Sequence, residues 1–287
     1  MKLGISAFAW TSSFGIKHLP LLPRVRGYGF TGLEIPMFHP RDLPVVHLRK
    51  SFESSGLDCT VCAILPPGIN PIHEDQSVQK RSLAHLIECV EVAAEMGARL
   101  LCGPLYVPIG YIPKRRRSED EWKRAVEMFQ RLGEKLDDHK MTLSIEPVNR
   151  SETFFLKTVD QAQQLCAAIH HPRVGITVDT FHANIEEKCI ASAIERIGPQ
   201  LCHLHLSEND RGLLGTGHIP FPDIFQALQK IEYEGYAVIE GFGFSMDEPD
   251  SPGAFLADQN VSPEEIALSG LEYLHSLGYK NRNPAAR

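Results

Sequence analysis

The sequence predicts an α/β fold, a single (β/α)8 TIM barrel spanning residues 1–287. Three observations carry that expectation. Eight short apolar runs alternate with segments of helical periodicity from one end of the chain to the other. The later runs are almost continuously apolar, as strands covered on both faces must be. The turn after the first run, Ser6-Ala7-Phe8-Ala9-Trp10, lacks the glycines that an open nucleotide-binding sheet places there. A length of 287 residues suits the fold, whose members commonly run to about 250 residues as one unit.

The expected strands are Lys2–Ala9, Thr31–Ile35, Asp58–Leu65, Arg99–Gly103, Met141–Glu146, Val174–Asp179, Leu201–Leu206 and Ala237–Glu240. Helices fall between them. Ser82–Met96 carries Leu83, Leu86, Val90 and Ala93 along one face, with Gly97 placed to end it. Glu119–Lys140 reads as one long helix, with Trp122, Val126, Phe129, Leu132 and Leu136 at steps of three and four. Thr158 is the expected N-cap of a helix over Thr158–Ile169. Ser262 and Gly278 bracket a helix over Pro263–Leu277.

Long segments follow strands three, four, seven and eight, at about 66–76, 104–118, 207–220 and 241–262. In a barrel all four would stand at the C-terminal rim, where active sites of this architecture are built. The basic run Lys114–Arg117 reads as a solvated lead into the next helix, with a phosphate or subunit contact as the alternative.

Composition limits the function. A net charge of −7, from 29 Lys and Arg against 36 Asp and Glu, disfavours a general nucleic-acid binder. No apolar stretch reaches the roughly 18 residues of a membrane span, and Met1-Lys2-Leu3-Gly4-Ile5 does not look like a secretory leader. Seven scattered cysteines, an odd number, read as reduced thiols and a cytoplasmic setting. Cys59-Thr-Val-Cys62 has redox or zinc spacing, but it lies in a strand-like run without a second pair and reads as structural.

Four metal-competent side chains stand at the ends of successive runs: Glu146, Asp179, His205 and Glu240, separated by 33, 26 and 35 residues. One βα unit per gap would bring all four to one point on the rim. Three carboxylates gathered there repel one another, and a divalent cation removes that repulsion. Three oxygen donors and one nitrogen suit Mn2+, Mg2+ or Co2+ better than a closed structural zinc site. His203, two residues before His205, points the same way and is expected one layer deeper, hydrogen-bonded rather than ligating. Glu34 also ends a run and is expected in an internal ion pair.

These blocks resemble a known family. Glu146-Pro-Val-Asn-Arg-Ser-Glu152, Asp179-Thr-Phe-His-Ala-Asn-Ile-Glu-Glu187, His203-Leu-His-Leu-Ser-Glu-Asn-Asp-Arg211 and Val238-Ile-Glu240 look like the D-tagatose/D-psicose (allulose) 3-epimerases, which are xylose-isomerase-like barrels. The likeness runs from Met1 to the last helix. It implies Glu146, Asp179, His205 and Glu240 as metal ligands, usually for Mn2+ and sometimes for Mg2+ or Co2+. It implies Glu146 and Glu240 as the catalytic pair that moves the proton. It also implies that Glu152, His182 and Arg211 hold the O1, O2 and O3 end of a free ketose, and that the chain is a homodimer or homotetramer. The chemistry agrees: removal of the C3 proton beside the C2 carbonyl gives an enediolate, and inversion needs one carboxylate on each face of C3.

Other readings keep part of this picture. Proton return at C1 would make an aldose–ketose or hydroxypyruvate isomerase. An apurinic endonuclease would use the same barrel, but with more rim histidines and a basic groove. A sugar-binding barrel would take ketoses without exchanging the C3 proton. Singly, Arg211 could pair with Glu208, His182 could start a surface helix and Glu152 could be a solvated loop residue. Ser6, Ala7, Phe8, Trp10 and Phe14, with Gly103–Tyr111, stand where C4 to C6 of a sugar are expected, in a region where the best-studied members carry more Tyr and Trp.

Overall fold

The computed structural model describes residues 1–246 and 261–279. Eight parallel strands close into a barrel in chain order. They are β1 (Lys2–Ser6), β2 (Gly32–Met37), β3 (Asp58–Ala63), β4 (Leu100–Gly103), β5 (Thr142–Ile145), β6 (Val174–Asp179), β7 (Leu201–Leu206) and β8 (Tyr236–Ile239). β8 pairs with β1 through Leu3 opposite Ala237 and Ile5 opposite Ile239, which leaves no free edge. The helices are α1 (Leu21–Tyr28), α2 (Val45–Ser55), α3 (Gln76–Glu95), α4 (Glu119–Gln130), α5 (Gly133–Asp138), α6 (Val159–Ile169), α7 (Thr180–Glu186), α8 (Ile190–Ile197), α9 (Phe221–Lys230) and α10 (Pro263–Ser276). Among the described residues no helix is long and apolar enough to cross a membrane.

The end signals in the sequence act as expected. The Thr158 hydroxyl accepts from Gln161 N–H, and Ser262 forms a reciprocal capping box with Glu265. Gly97 and Gly278 take the left-handed conformation just beyond α3 and α10. α3 starts six residues before the expected Ser82, because Asp75 caps it by accepting from Ser77 N–H at 2.7 Å. The expected helix Glu119–Lys140 is two helices, broken at Arg131–Leu132. Gly133 lies against the His171 ring, where a Cβ would meet ring carbon at 2.9 Å, so the chain bends to let that residue in. Strand one stops at Ser6, and Ala7–Ala9 form a 3-10 turn. The expected 241–262 loop falls mostly outside the described residues. Arg115 of the basic run pairs with Glu121, and Arg117 lies 4.3 Å from the Trp122 ring, so both serve the start of α4.

A register shift between Ile176 and Thr177 matters most for the site. Ile176 opposes Leu201, but Thr177 opposes His203, and Asp179 opposes His205. Gly175 makes this local crowding tolerable, since a Cβ there would lie 2.1 Å from Cys202 Sγ. The shift brings His203 and His205 level with the inward-facing residues of β6.

Candidate active site

Each of the four rim residues is placed by backbone hydrogen bonds to a neighbouring strand or helix. Glu146 follows β5, and its N–H donates to Gly103 O. Asp179 ends β6 and caps α7, its Oδ1 accepting from Phe181 N–H at 2.6 Å. His205 lies within β7, and Glu240 follows β8 with its N–H on Leu206 O. All four are buried. His205 Nδ1 stands 3.1 Å from Glu146 Oε1 and 3.9 Å from Glu240 Oε1. Ligand atoms of Glu146, Asp179 and His205 lie within 4.8 Å of one another. Glu240 stands just outside that triad, because Arg211 holds its other oxygen.

Arg211 is the centre of a second set of contacts. Its Nη1 donates to Glu240 Oε2 at 2.7 Å, to Ser207 Oγ at 2.8 Å and to Asp179 Oδ2 at 3.0 Å. The alternative pairing with the Glu208 carboxylate is not formed; Glu208 instead accepts three loop N–H groups, from Asn209, Gly215 and Ile219. Arg211 adopts φ +59°, a left-handed backbone uncommon outside glycine, and the Glu208-braced loop imposes it. The guanidinium is sandwiched between Phe181 at 4.1 Å and Phe242 at 5.1 Å.

His182 is buried in α7 rather than set at a surface helix start. Asn149 joins it to Glu152: its Nδ2 lies 2.7 Å from Glu152 Oε1 and 2.9 Å from His182 Nδ1, and its backbone N–H also donates to that Nδ1. With Nδ1 accepting, the ring proton sits on Nε2, which stands 3.4 Å from Arg211 Nη2. The segment carrying these residues is fixed to α7 by Arg150, whose guanidinium and N–H all engage Glu186.

Beneath the rim lies a layer centred on Glu34. Its Oε1 is 2.9 Å from His205 Nε2, and its Oε2 is 2.7 Å from His203 Nε2 and 3.1 Å from Thr60 Oγ1. Glu34 is thus in the expected internal ion pair, and His203 is the expected deeper residue. Asn149, Ser207, Phe181 and Phe242 were not singled out in the sequence. Only their nearness to marked residues, such as Phe242 two places after Glu240, could have drawn attention to them.

The electrostatics are those of a site with surplus negative charge. Burial favours the neutral imidazole, yet the surrounding Glu34, Glu146 and Glu240 hold His205 well above its usual pKa. Burial also acts against the ionised form of Asp179, but Arg211, His182 and His205 keep its carboxyl far below the usual range. Glu240 is pushed up to about 8 by burial and by Asp179 and Glu146, against the pull of His205 and Arg211. Among the chain's own groups, His205 and Arg211 are the ones that offset this charge.

The donor set fits a divalent cation. The carboxylates of Glu146 and Asp179 converge with one imidazole nitrogen, the buried Glu240 carboxylate stands just beyond them, and the Nδ1 side of His205 that faces Glu146 is the direction that a cation would take. With a cation at Nδ1, His205 keeps only its Nε2 proton, which Glu34 already accepts; this is a carboxylate–histidine arrangement that fixes a ligating ring.

An aromatic group flanks this centre: Phe8, Phe38, Ile64, Phe242 and Phe244 form a cluster separate from the main core. Of the first-strand residues expected near C4 to C6, only Phe8 joins it. Phe14 packs in the main core beside His18, and the Trp10 indole N–H donates to Glu264. Tyr106 of the strand-four segment is likewise in the core, donating to Leu156 O. A hollow of about 650 Å3 lies at the opposite end of the barrel, beside Lys2, Asp58 and Tyr236. Lys2 and Asp58 are already paired there, and among the described residues no set of carboxylates or imidazoles converges on it.

The family model for the xylose isomerase-like TIM barrel matches residues 22–277. The ketose 3-epimerase of Arthrobacter globiformis is 33% identical over 255 residues, covering 87% of this chain and 86% of that one. A probable ketose 3-epimerase of Synechocystis sp. is 29% identical over 98% of both chains. In three dimensions the chain is similar to the D-allulose 3-epimerase of Methylomonas sp., crystallised in complex with D-allulose, with a TM-score of 0.89 at 24% identity over 96% of each chain. A barrel closed in chain order, a rim built from the ends of its last four strands, and these matches over nearly the whole length lead to one conclusion: this chain belongs to the ketose 3-epimerase family of xylose isomerase-like TIM barrels, a family of isomerases.

Proposed function

We propose that the chain inverts C3 of a free ketose of the D-tagatose, D-psicose or D-fructose kind through an enediolate, with one divalent ion, Mn2+ by preference, held by Glu146, Asp179, His205 and Glu240. The observation that carries the proposal is the pair of buried glutamates, from strand ends three apart in the barrel, that both approach His205 Nδ1, at 3.1 and 3.9 Å. A bound cation would supply Lewis-acid stabilisation of the charge that develops as the C3 proton leaves.

The chain's own residues do the rest. Glu146 and Glu240 come from strands three apart in the barrel, so a sugar seated between them presents one face of C3 to each carboxylate. One removes the proton, and the other returns a proton on the opposite face. Arg211 offers buried N–H groups to the O1–O3 end. Its Nε has no partner among the described residues, an unmet donor suited to a ligand oxygen. The Nε2 proton of His182 and the carboxylate of Glu152 complete the grip, both oriented by Asn149. Phe8, Phe242 and Phe244 would cover the distal carbons with apolar surface and keep water from the exchanging proton. The net charge of −7 favours the sugar over an apurinic-site substrate. The seven free thiols fit a reducing, cytoplasmic setting.

The test is a panel of ketohexoses and ketopentoses incubated in heavy water with Mn2+. At least one sugar should gain deuterium at C3 and yield its C3 epimer. Label confined to C1 would favour aldose–ketose isomerisation, and binding without label would favour a sugar-binding barrel.

Glu34 should matter without touching sugar. In Glu34→Gln the acceptor of the His205 Nε2 proton is weakened, and metal affinity is expected to fall by roughly 10–100-fold, the usual cost of disturbing such a partner. Calorimetric titration with Mn2+ reads this directly; unchanged affinity would show that His205 is held by packing alone.

A further inference from the structure

Directly under the rim, on its strand-two to strand-four side, two thiols complete a buried cluster of metal-competent side chains that the epimerase chemistry does not use. Cys62 on β3 and Cys102 on β4 are register partners on adjacent strands, so their side chains leave the sheet on the same face. Both are buried. Cys102 Sγ donates to Glu34 Oε2 at 3.5 Å and stands 3.8 Å from His205 Nε2. One ligand atom from each of Glu34, Cys62, Cys102 and His205 lies within 4.8 Å of the other three.

We propose that this cluster is a second metal site, selective for thiophilic divalent ions such as zinc or cadmium. Two sulfurs, one nitrogen and one oxygen form the tetrahedral donor set that such ions favour, whereas the oxygen-rich rim suits harder ions. In a four-coordinate site of this kind the donors stand roughly 3.3–3.8 Å apart, so a separation of at most 4.8 Å needs only small side-chain adjustments. The protons of Cys102 and of His205 Nε2 both now point toward Glu34, into the space that an ion would fill. Binding is balanced by proton release: the ion would form bonds to two sulfurs, to His205 Nε2 and to a Glu34 oxygen, the two thiol protons and the Nε2 proton leave to solvent, and the ring keeps its remaining proton on Nδ1 toward Glu146. His205 is common to both sites, through Nδ1 at the rim and Nε2 below. An ion in the lower cluster therefore takes the ring from Glu34 and competes with the orientation that the rim requires. The lower site stands on its own geometry and does not depend on what the rim catalyses.

The experiment uses the full chain freed of metal and titrated with Cd2+. A sulfur-to-cadmium charge-transfer absorption should rise in the ultraviolet and saturate at one ion per chain. Cadmium-edge X-ray absorption of the wild-type chain should find two sulfur and two nitrogen or oxygen neighbours. Cys62→Ser and Cys102→Ser should each lose the band while still binding Mn2+, and Cys189→Ser, which alters the one exposed thiol, should keep it. No band, a count of fewer than two sulfurs in the wild-type chain, or a band that survives both Cys62→Ser and Cys102→Ser would overturn the proposal. The wild-type sulfur count decides the matter even if a serine variant misfolds. Ketose turnover with Mn2+ alone is a separate measurement, so failure of either proposal leaves the other standing.

Discussion

Glu240→Gln is expected to lower kcat for C3 epimerisation by roughly a thousandfold, within the usual range for losing a positioned acid–base group. The amide keeps the size of the carboxyl and can still accept from Arg211 and Ser207, which now bond Glu240 Oε2. It cannot take or return a proton. Ketose binding should therefore survive, with KM moved far less than kcat. Deuterium exchange at C3 gives the sharper reading. One proposed glutamate remains in the variant, so proton removal on one face can persist while inversion stops. Glu146→Gln should show the complementary pattern, with the exchange surviving for the other epimer. A kcat within a few-fold of wild type would remove Glu240 from the proton path and leave the two-carboxylate scheme without support.

Removal of metal is the second large effect. Dialysis against EDTA is expected to abolish nearly all turnover, and Mn2+ or Co2+ to restore it. Reversibility is expected because the rim holds cationic groups of its own beside its carboxylates. His205 Nδ1 stands 3.1 Å from Glu146 Oε1, and Arg211 bridges Asp179 and Glu240. The loss should thus be of activity more than of fold. Circular dichroism of the stripped chain should be near that of the loaded one. Full activity in protein shown by elemental analysis to be free of metal would defeat the proposal.

The two predictions draw on different parts of the chain's legibility. Strand-end residues were readable because an all-parallel barrel has a simple rule: the residue after an apolar run reaches the rim. Glu146 and Glu240 each follow their strand by one residue, and Asp179 ends its own. Arg211 was less readable. Its loop offered Glu208 as the nearest partner in sequence, yet the loop turns Glu208 onto its own backbone N–H groups and sends Arg211 across to Asp179 and Glu240. Nothing local distinguishes these outcomes, since both satisfy every charge. Trp10 and Phe14 were expected at the pocket because they follow strand one. The 3-10 turn at Ala7–Ala9 ends the strand early and directs them to α10 and the core. The break in Glu119–Lys140 was hidden for a similar reason: the periodicity of one helix does not record that His171, from another element, needs the space beside Gly133.

What the sequence determined by itself was the set of elements and their order: eight apolar runs, the caps Thr158 and Ser262, the stops Gly97 and Gly278, and the metal-competent residues at four strand ends. These follow from interactions within a few residues, or from a period fixed by strand and helix geometry. The tertiary structure alone decided which side chains meet. It set the register shift that brings His205 opposite Asp179, the Glu34 layer bridging β2 to β7, the Arg211 bridge, and the Cys62–Cys102 cluster beneath. Those contacts join residues up to 171 positions apart, as between Glu34 and His205. Their partners are selected by how a closed barrel staggers its strands and by competition for buried charge, and neither is written in any local stretch of the chain.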